Sequence, residues 1–124
     1  MYSIVFRHDL NLIDIHWSGL FDQPSVDAYA DELVRRFHDE GFVPGYRLRM
    51  DMSGTSVQPI DAAQAINRRL STFHRASRIA IVTTSAITRL QVRRFMHQPY
   101  LRIFDSADSA LDWLVSPDDA TLTA

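Results

Sequence analysis

One segment near the middle of the chain gathers residue types that can bind a ligand. Asp51, Ser53, Gly54 and Thr55 follow a stretch with alternating apolar residues, and Asp61 stands where the next helix is predicted to start. Open α/β sheets bind ligands beyond the carboxyl ends of their strands, and a helix N-terminus suits an anion. The same residues also suit a plain turn, in which Asp51 or Ser53 bonds nearby backbone and Asp61 caps the helix. Both interpretations stay open at the level of sequence.

Arginines outline a second candidate site. The segment 62–104 holds eight Arg and no acidic residue, whereas the rest of the chain holds five Arg and all 15 acids. Arg89 and Arg93 lie one helical turn apart, and like charges at this spacing cost about 0.2–0.5 kcal/mol, which an acidic partner or a phosphate can offset. With Arg68 and Arg75 they form a candidate basic face. The segment can equally pair with acidic helices of the same chain, and a net charge of −2 is unlike that of nucleic-acid-binding domains.

Composition excludes several kinds of catalysis. The 124 residues include no Cys, and all 13 Lys or Arg residues are Arg. The chain therefore lacks a Schiff-base or P-loop lysine, a thiol nucleophile and a zinc ribbon. The five His have no metal-ligand spacing, and Ser53 belongs to no G-x-S-x-G elbow. We expect no catalytic residue, no metal and no cofactor.

Hydrophobic periodicity predicts the elements that position these residues. The order is ββαβαβαβα, which implies one α/β domain over 1–115 and a polar tail over 116–124. The sheet is expected to have five mostly parallel strands, with an antiparallel hairpin at the N-terminus. The predicted strands are 2–7, 11–17, 46–52, 78–84 and 100–104. The predicted helices begin at Pro24, Asp61 and Ile87 and after a cap at Ser106, and the first of them ends at Gly41.

Three further expectations concern surfaces. The second helix is predicted to run beyond Phe73, with Arg75 opposite its buried stripe. An exposed sheet face is predicted for Asp14, His16, Arg47 and Arg49. Eight aromatic residues can either fill the core or line an apolar pocket: Trp17, Phe21, Tyr29, Phe37, Phe42, Phe73, Phe95 and Trp113. No apolar run is long enough to span a bilayer and no secretory leader is visible, so we expect a cytoplasmic location.

Two local patterns resemble the STAS and SpoIIAA-like domains of bacteria. The first is the strand and loop at 49–55, Arg-Met-Asp-Met-Ser-Gly-Thr, which is similar to the D-L-S-G segment of STAS domains. The second joins the strands at 78–82 and 101–104 to the final stretch at 109–114, Ser-Ala-Leu-Asp-Trp-Leu. The resemblance covers about residues 2–115. It implies a five-stranded sheet with its helices largely on one side.

The resemblance also implies a function. In anti-anti-sigma proteins of this family, a Ser at the start of the helix after the third strand is phosphorylated. Ala63 or Asp61 takes that position here, depending on a two-residue gap, so we expect no Ser phosphorylation there. The resemblance implies a non-enzymatic module for regulatory protein–protein interaction, with a protein partner or a homodimer. The alternative is a carrier or sensor of a small anionic or lipid-like ligand, as in related SEC14-type carriers.

Overall fold

The computed structural model of the chain describes residues 2–19, 22–54, 60–70 and 72–117. Its strands are β1 (Tyr2–Arg7), β2 (Leu12–Ser18), β3 (Arg47–Gly54), β4 (Arg78–Val82) and β5 (Leu101–Phe104). Its helices are α1 (Gln23–Asp39), α2 (Ile60–Leu70), α3 (Ala86–Phe95) and α4 (Ala107–Val115). A 3-10 turn, His8–Leu10, joins the first two strands. The predicted element order is confirmed.

The five strands form one sheet in the order β1-β2-β3-β4-β5. β1 is antiparallel to β2, and each later strand is parallel to its neighbour. Strands that follow one another in this way place their crossover helices on one face. The main core cluster accordingly joins residues of α1, α2 and α3, such as Val26, Ala65 and Val92, to the strands. α4 packs on the opposite face, where Ala110 and Leu114 join a smaller cluster.

Local capping explains where the helices begin. Asp22 accepts a hydrogen bond from the backbone N–H of Ser25 at 2.9 Å before α1. Ser85 and Ser106 do the same before α3 and α4. Such caps satisfy backbone N–H groups that have no partner within the helix. The predicted cap at Ser106 is therefore confirmed.

Three predicted boundaries near the candidate sites were wrong, and β4 ends at Val82 and not at residue 84 as predicted. Ser53 and Gly54 belong to β3 and not to a loop, because Gly54 still pairs with Ser18 of β2. α2 begins at Ile60, so Asp61 lies inside the helix, whereas an N-cap residue has non-helical backbone. The same helix ends at Leu70, short of the predicted Phe73.

The sheet face that was predicted to be exposed is partly covered by α4. Arg47 donates hydrogen bonds to the carbonyl oxygens of Leu10 at 2.5 Å and Leu114 at 2.7 Å. Arg49 donates to the carbonyl of Ala107 at 3.1 Å. Of the four predicted residues, His16 is the one that remains exposed.

The start of the predicted tail also contacts the domain. Arg78 donates hydrogen bonds to the Ser116 hydroxyl and to the Pro117 carbonyl, both at 2.9 Å. Residues 118–124 lie outside the described residues. The domain boundary at 115 stays a prediction.

Candidate functional site

The carboxyl end of β3 holds a small polar cluster. The Oγ of Ser53 donates a hydrogen bond to Oδ1 of Asp51 at 2.6 Å, and the Ser53 backbone N–H donates to the same oxygen at 2.9 Å. His16 of β2 approaches the other carboxylate oxygen, with Nδ1 at 3.5 Å from Oδ2. The parallel register of β2 and β3, which pairs His16 with Asp51, brings them together. Sequence reasoning proposed Asp51 and Ser53 and missed His16.

The charge state of Asp51 follows from these contacts. Burial alone would raise the pKa of its carboxyl, but the two hydrogen bonds from Ser53 and the nearby His16 together hold this pKa below its usual value. Asp51 stands between the serine and the histidine, whereas in hydrolytic triads the histidine stands between serine and aspartate. The cluster therefore has no relay that would take the proton from Ser53 to His16.

The structure describes only part of the remaining residues of the predicted loop site. Gly54 is exposed at the end of β3. Thr55 lies outside the described residues. The backbone of Asp61 and Ala63 belongs to α2, and their side chains lie outside the described part of the structure. Use of this edge as a binding site, with or without phosphorylation, stays a prediction.

The four arginines of the candidate basic face occupy three different places. Arg68 is exposed on α2, and Arg89 and Arg93 lie on α3. Nη2 of Arg89 lies 2.8 Å from Oδ1 of Asp105, so this arginine is paired within the chain. Arg75 lies beyond the end of α2, with its guanidinium carbon 4.7 Å from the centre of the Tyr100 ring. The proposal that all four form one anion-binding face stays a prediction.

Arg75 leaves the helix because nearby backbone groups bind elsewhere. The Arg75 carbonyl accepts a hydrogen bond from the N–H of Gly45 at 2.8 Å. The His74 carbonyl accepts one from the hydroxyl of Tyr46 at 2.7 Å. These bonds tie the segment to the start of β3, so the carbonyls do not continue a helix. Arg75 is consequently carried to the edge of the sheet where β3 and β4 begin.

A cavity lies between the sheet and α1–α3. Its volume is about 540 Å³, and its lining is mostly apolar. Four of the eight aromatic residues named from the sequence line it: Trp17, Tyr29, Phe73 and Phe95. Phe37 and Phe42 are packed in the core, Trp113 lies on the opposite face, and Phe21 lies outside the described residues.

Further apolar walls of the cavity come from the strands. The inward-facing residues of β3 line it, namely Leu48, Met50 and Met52. Met50 and Met52 are themselves buried, so the cavity adjoins the main core. Burial also raises the pKa of the Tyr29 and Tyr46 hydroxyls, which keeps both lining tyrosines neutral.

The polar lining of the cavity includes Asn67, His74, Arg75, Gln91 and Gln98. Oε1 of Gln98 is buried and has no hydrogen-bond partner among the described residues. Buried polar atoms without a partner are uncommon in folded proteins, so each calls for a physical reason. Sequence reasoning did not single out Gln98, because no local pattern sets it apart from an ordinary loop glutamine.

Other kinds of site find little support in the described residues. Within residues 2–19, 22–54, 60–70 and 72–117, no three His, Asp or Glu side chains are grouped so as to hold a metal ion. The helices described are all too short or too polar to cross a bilayer.

Several solved structures are similar to the chain over nearly its whole length. One is an uncharacterized protein from the DUF3478 family with a SpoIIAA-like fold, from Shewanella loihica PV-4; it is 16% identical over 91% of this chain and 93% of that chain, with a TM-score of 0.67. An anti-sigma factor antagonist from Mycobacterium paratuberculosis is 12% identical over 94% and 96%, with a TM-score of 0.66. The anti-sigma factor antagonist SpoIIAA in its unphosphorylated form is 12% identical over 92% and 96%, with a TM-score of 0.63.

Comparison by sequence found no protein-family model and no curated protein that matches the chain. The structural likeness therefore establishes the architecture and leaves the activity open. Five strands in the order β1-β2-β3-β4-β5 with α1–α3 on one face agree with the fold that the sequence resemblance implied. The chain has a SpoIIAA-like fold.

Proposed function

We propose that the protein binds a small apolar or amphipathic molecule between its sheet and α1–α3, as a carrier or sensor. The observation that carries this proposal is the cavity of about 540 Å³. Protein interiors pack as densely as organic crystals, with few voids larger than a water molecule. Ligand pockets, in contrast, have volumes of about 300–1,000 Å³ and are mostly apolar with a few polar groups. The cavity has the size and lining of the second kind.

The proposed role is non-enzymatic and is placed in the cytoplasm. In support, the Ser53 hydroxyl donates its hydrogen bond to Asp51, so this serine–aspartate–histidine cluster is not arranged as a nucleophile with its base. The similar structures are two anti-sigma factor antagonists and one uncharacterized protein, and none of them bears the name of an enzyme.

The test is to reduce the cavity from two walls and to measure binding. Ala76, which precedes β4, and Val92 of α3 both line the cavity and are 5% and 4% exposed. Ala76→Leu and Val92→Phe should each weaken the binding of an apolar fluorescent dye to the purified chain. Ala28→Leu is the matched control, because it makes the same change at an exposed position of α1. Native mass spectrometry of freshly purified protein would then show whether a molecule of defined mass is already bound.

Dye binding of equal strength in both cavity variants and in the control would contradict the proposal. It would mean that the dye binds outside the cavity. A chain that binds neither the dye nor a copurified molecule would contradict it as well.

A second candidate function is regulatory interaction with a protein partner or a second copy. Ile87 and Leu90 of α3 are 60% and 65% exposed, and their spacing places them on one side of the helix. Arg93 lies one turn further along α3. Exposed apolar residues grouped on one surface often mark interaction sites. The names of two similar structures, both anti-sigma factor antagonists, agree with this candidate.

The homodimer form of this candidate is tested by the mass of the native protein. Ile87→Ser combined with Leu90→Ser should convert a dimer to a monomer. Val34→Ser on α1, a residue 50% exposed, should leave the mass unchanged. A wild-type chain that stays monomeric at high concentration would rule this form out.

A further inference from the structure

The cavity has a polar end and an apolar end. His74 and Arg75 precede β4, which begins at Arg78, and Gln98 precedes β5, which begins at Leu101. These polar lining residues therefore meet at the edge of the sheet where the parallel strands start. A molecule lying along the strands would place one of its ends among them.

The opposite end of the cavity is lined by apolar side chains. Trp17 lies next to the last residue of β2, and Met52 lies near the end of β3. Both side chains are buried, at 2% and 8% exposure. The cavity thus has apolar side chains at the carboxyl ends of the strands and Arg75 and Gln98 at their amino ends, and Asn67 of α2 and Gln91 of α3 also line it. This arrangement suits an amphipathic ligand.

The charge at the polar end is positive. Arg75 lines the cavity and is itself exposed, so its guanidinium lies at the boundary with solvent. Its contact with the Tyr100 ring, at 4.7 Å from the guanidinium carbon, holds the cation at this position. No Asp or Glu is found among the described residues that line the cavity. An anionic group is therefore attracted to this end and a cationic group is repelled.

Gln98 supplies a second, neutral contact. Its buried Oε1 has no hydrogen-bond partner among the described residues. The two ends of an amide can exchange places by rotation, so the group can donate to a carboxylate or accept from a hydroxyl. With the NH2 group in that place, a ligand carboxylate would accept its hydrogen bond, and with Oε1 there a ligand hydroxyl would donate one, whereas an apolar group would leave either unpaired.

We propose that the cavity selects an amphipathic monocarboxylate, whose apolar chain lies toward Trp17 and Met52 and whose carboxylate binds Arg75 and Gln98. This inference rests on the proposed function. One arginine with one amide matches a single carboxylate, which a guanidinium binds through two parallel hydrogen bonds. A phosphate carries more charge than these two groups balance.

The test compares three molecules that share a ten-carbon chain and differ at one end: decanoate, 1-decanol and decyltrimethylammonium. Isothermal titration calorimetry on the full chain should give the tightest binding for decanoate, by about tenfold over decanol, and the weakest for the cation. Arg75→Gln should bring decanoate to the affinity of decanol and leave decanol itself within about twofold. Arg75→Lys should keep part of the preference, because it keeps the charge without the planar fork.

Arg35→Gln is the matched control, because it removes an exposed arginine of α1 that does not line the cavity. It should leave all three affinities unchanged. Gln98→Met, which keeps the length of the side chain, should weaken decanoate and decanol alike. A thermal melt of each variant separates loss of binding from loss of folding.

The two levels of proposal fail in different ways. Equal affinities for the three molecules, or a decanoate affinity that Arg75→Gln does not change, would overturn the monocarboxylate and leave the cavity as a ligand site. Absence of binding for all three molecules and for the apolar dye would overturn the proposed function together with this inference.

Discussion

The two faces of the sheet are covered by helices that leave different amounts of space beneath them. On one face, α1, α2 and α3 enclose a cavity of about 540 Å³. On the other face, α4 packs directly on the strands, and Ala80, Ala110 and Leu114 are at most 1% exposed. Small side chains on both partners let α4 approach closely. On the first face, α3 contributes only Thr88 and Val92 as buried residues, so it is held to the sheet by few contacts.

The two faces also differ in how far their buried polar groups are hydrogen-bonded. Under α4, Arg47 and Arg49 donate hydrogen bonds to backbone carbonyls and to Asp14. In the cavity, Gln98 Oε1 is buried without a partner among the described residues. A face whose polar atoms are satisfied internally needs no ligand, whereas a face with space and an unsatisfied atom is suited to bind one. The α4 face is therefore suited to a structural role, and the cavity face is suited to the binding role that we propose.

One substitution on each face gives the strongest test of whether the α4 face is packed more tightly than the cavity face. Ala80→Leu on the α4 face should lower the free energy of unfolding by about 1–3 kcal/mol, because the added carbons have no space. Ala76→Leu on the cavity face should cost less than about 1 kcal/mol, since Ala76 lines a cavity that has space for the added carbons. Urea denaturation of both variants measures the difference. Equal losses would mean that the two faces are packed alike.

A medium effect is expected at the arginine that joins the sheet to α4. The guanidinium of Arg49 donates two hydrogen bonds to Asp14, at 3.0 and 2.6 Å, and its side chain is 13% exposed. Arg49→Met should cost about 1–2 kcal/mol in urea denaturation, because Asp14 loses its charged partner. Asp105→Asn breaks the ion pair between Arg89 and Asp105. Because the Asp105 side chain is 79% exposed, this change should cost about 0–1 kcal/mol. If both variants lose the same amount, burial under α4 does not strengthen the Arg49 pair.

The architecture was largely predictable from the sequence because its signals are local. The alternation at 47–52 placed arginine and aspartate on one face of β3 and Leu48, Met50 and Met52 on the other, as the structure has them. The cap at Ser106 and the glycine at Gly41, which has a φ of +72°, mark helix ends through backbone requirements that few residues meet. Signals of this kind need no knowledge of distant residues.

The site was less predictable because it depends on contacts between distant segments. His16 meets Asp51 only through the register of two parallel strands, which no local pattern specifies. From the sequence, the aromatic residues Trp17 and Tyr29 could belong to the core or line a pocket. The hydrophobic pattern of the sequence does not depend on the distance between a helix and the sheet. Arg75 was assigned to a helix that in fact ends at Leu70, because the bonds that draw it away come from Gly45 and Tyr46.

The smallest effect on stability is expected at the carboxyl end of β3. Its readout, the titration of Asp51, is the most specific of those proposed. The pKa of Asp51 lies below its usual value because hydrogen bonds from Ser53 and the nearby His16 outweigh the effect of burial. A carboxyl whose pKa is lower in the folded chain stabilises the fold above its unfolded pKa of about 3.9, and this contribution is lost as the pH falls through the folded value. Ser53→Ala removes the hydroxyl donor at 2.6 Å, so the pKa of Asp51 should rise toward its unfolded value. The contribution of Asp51 to stability should then be smaller, and its loss should be complete at a higher pH.

Carboxyl-detected NMR titration of Asp51 measures this shift directly. At neutral pH the same variant should lose less than about 1 kcal/mol in urea denaturation, because the backbone N–H of residue 53 still donates to Asp51. Thr72→Ala removes an exposed hydroxyl near the opposite edge of the sheet and should leave the titration unchanged. An Asp51 curve that is the same in wild type and Ser53→Ala would show that the Ser53 hydroxyl does not hold the carboxylate. The Asp51 carboxylate would then be available to a ligand. In this respect the carboxyl end of β3 would resemble the cavity face and not the face under α4, whose polar groups are bonded within the chain.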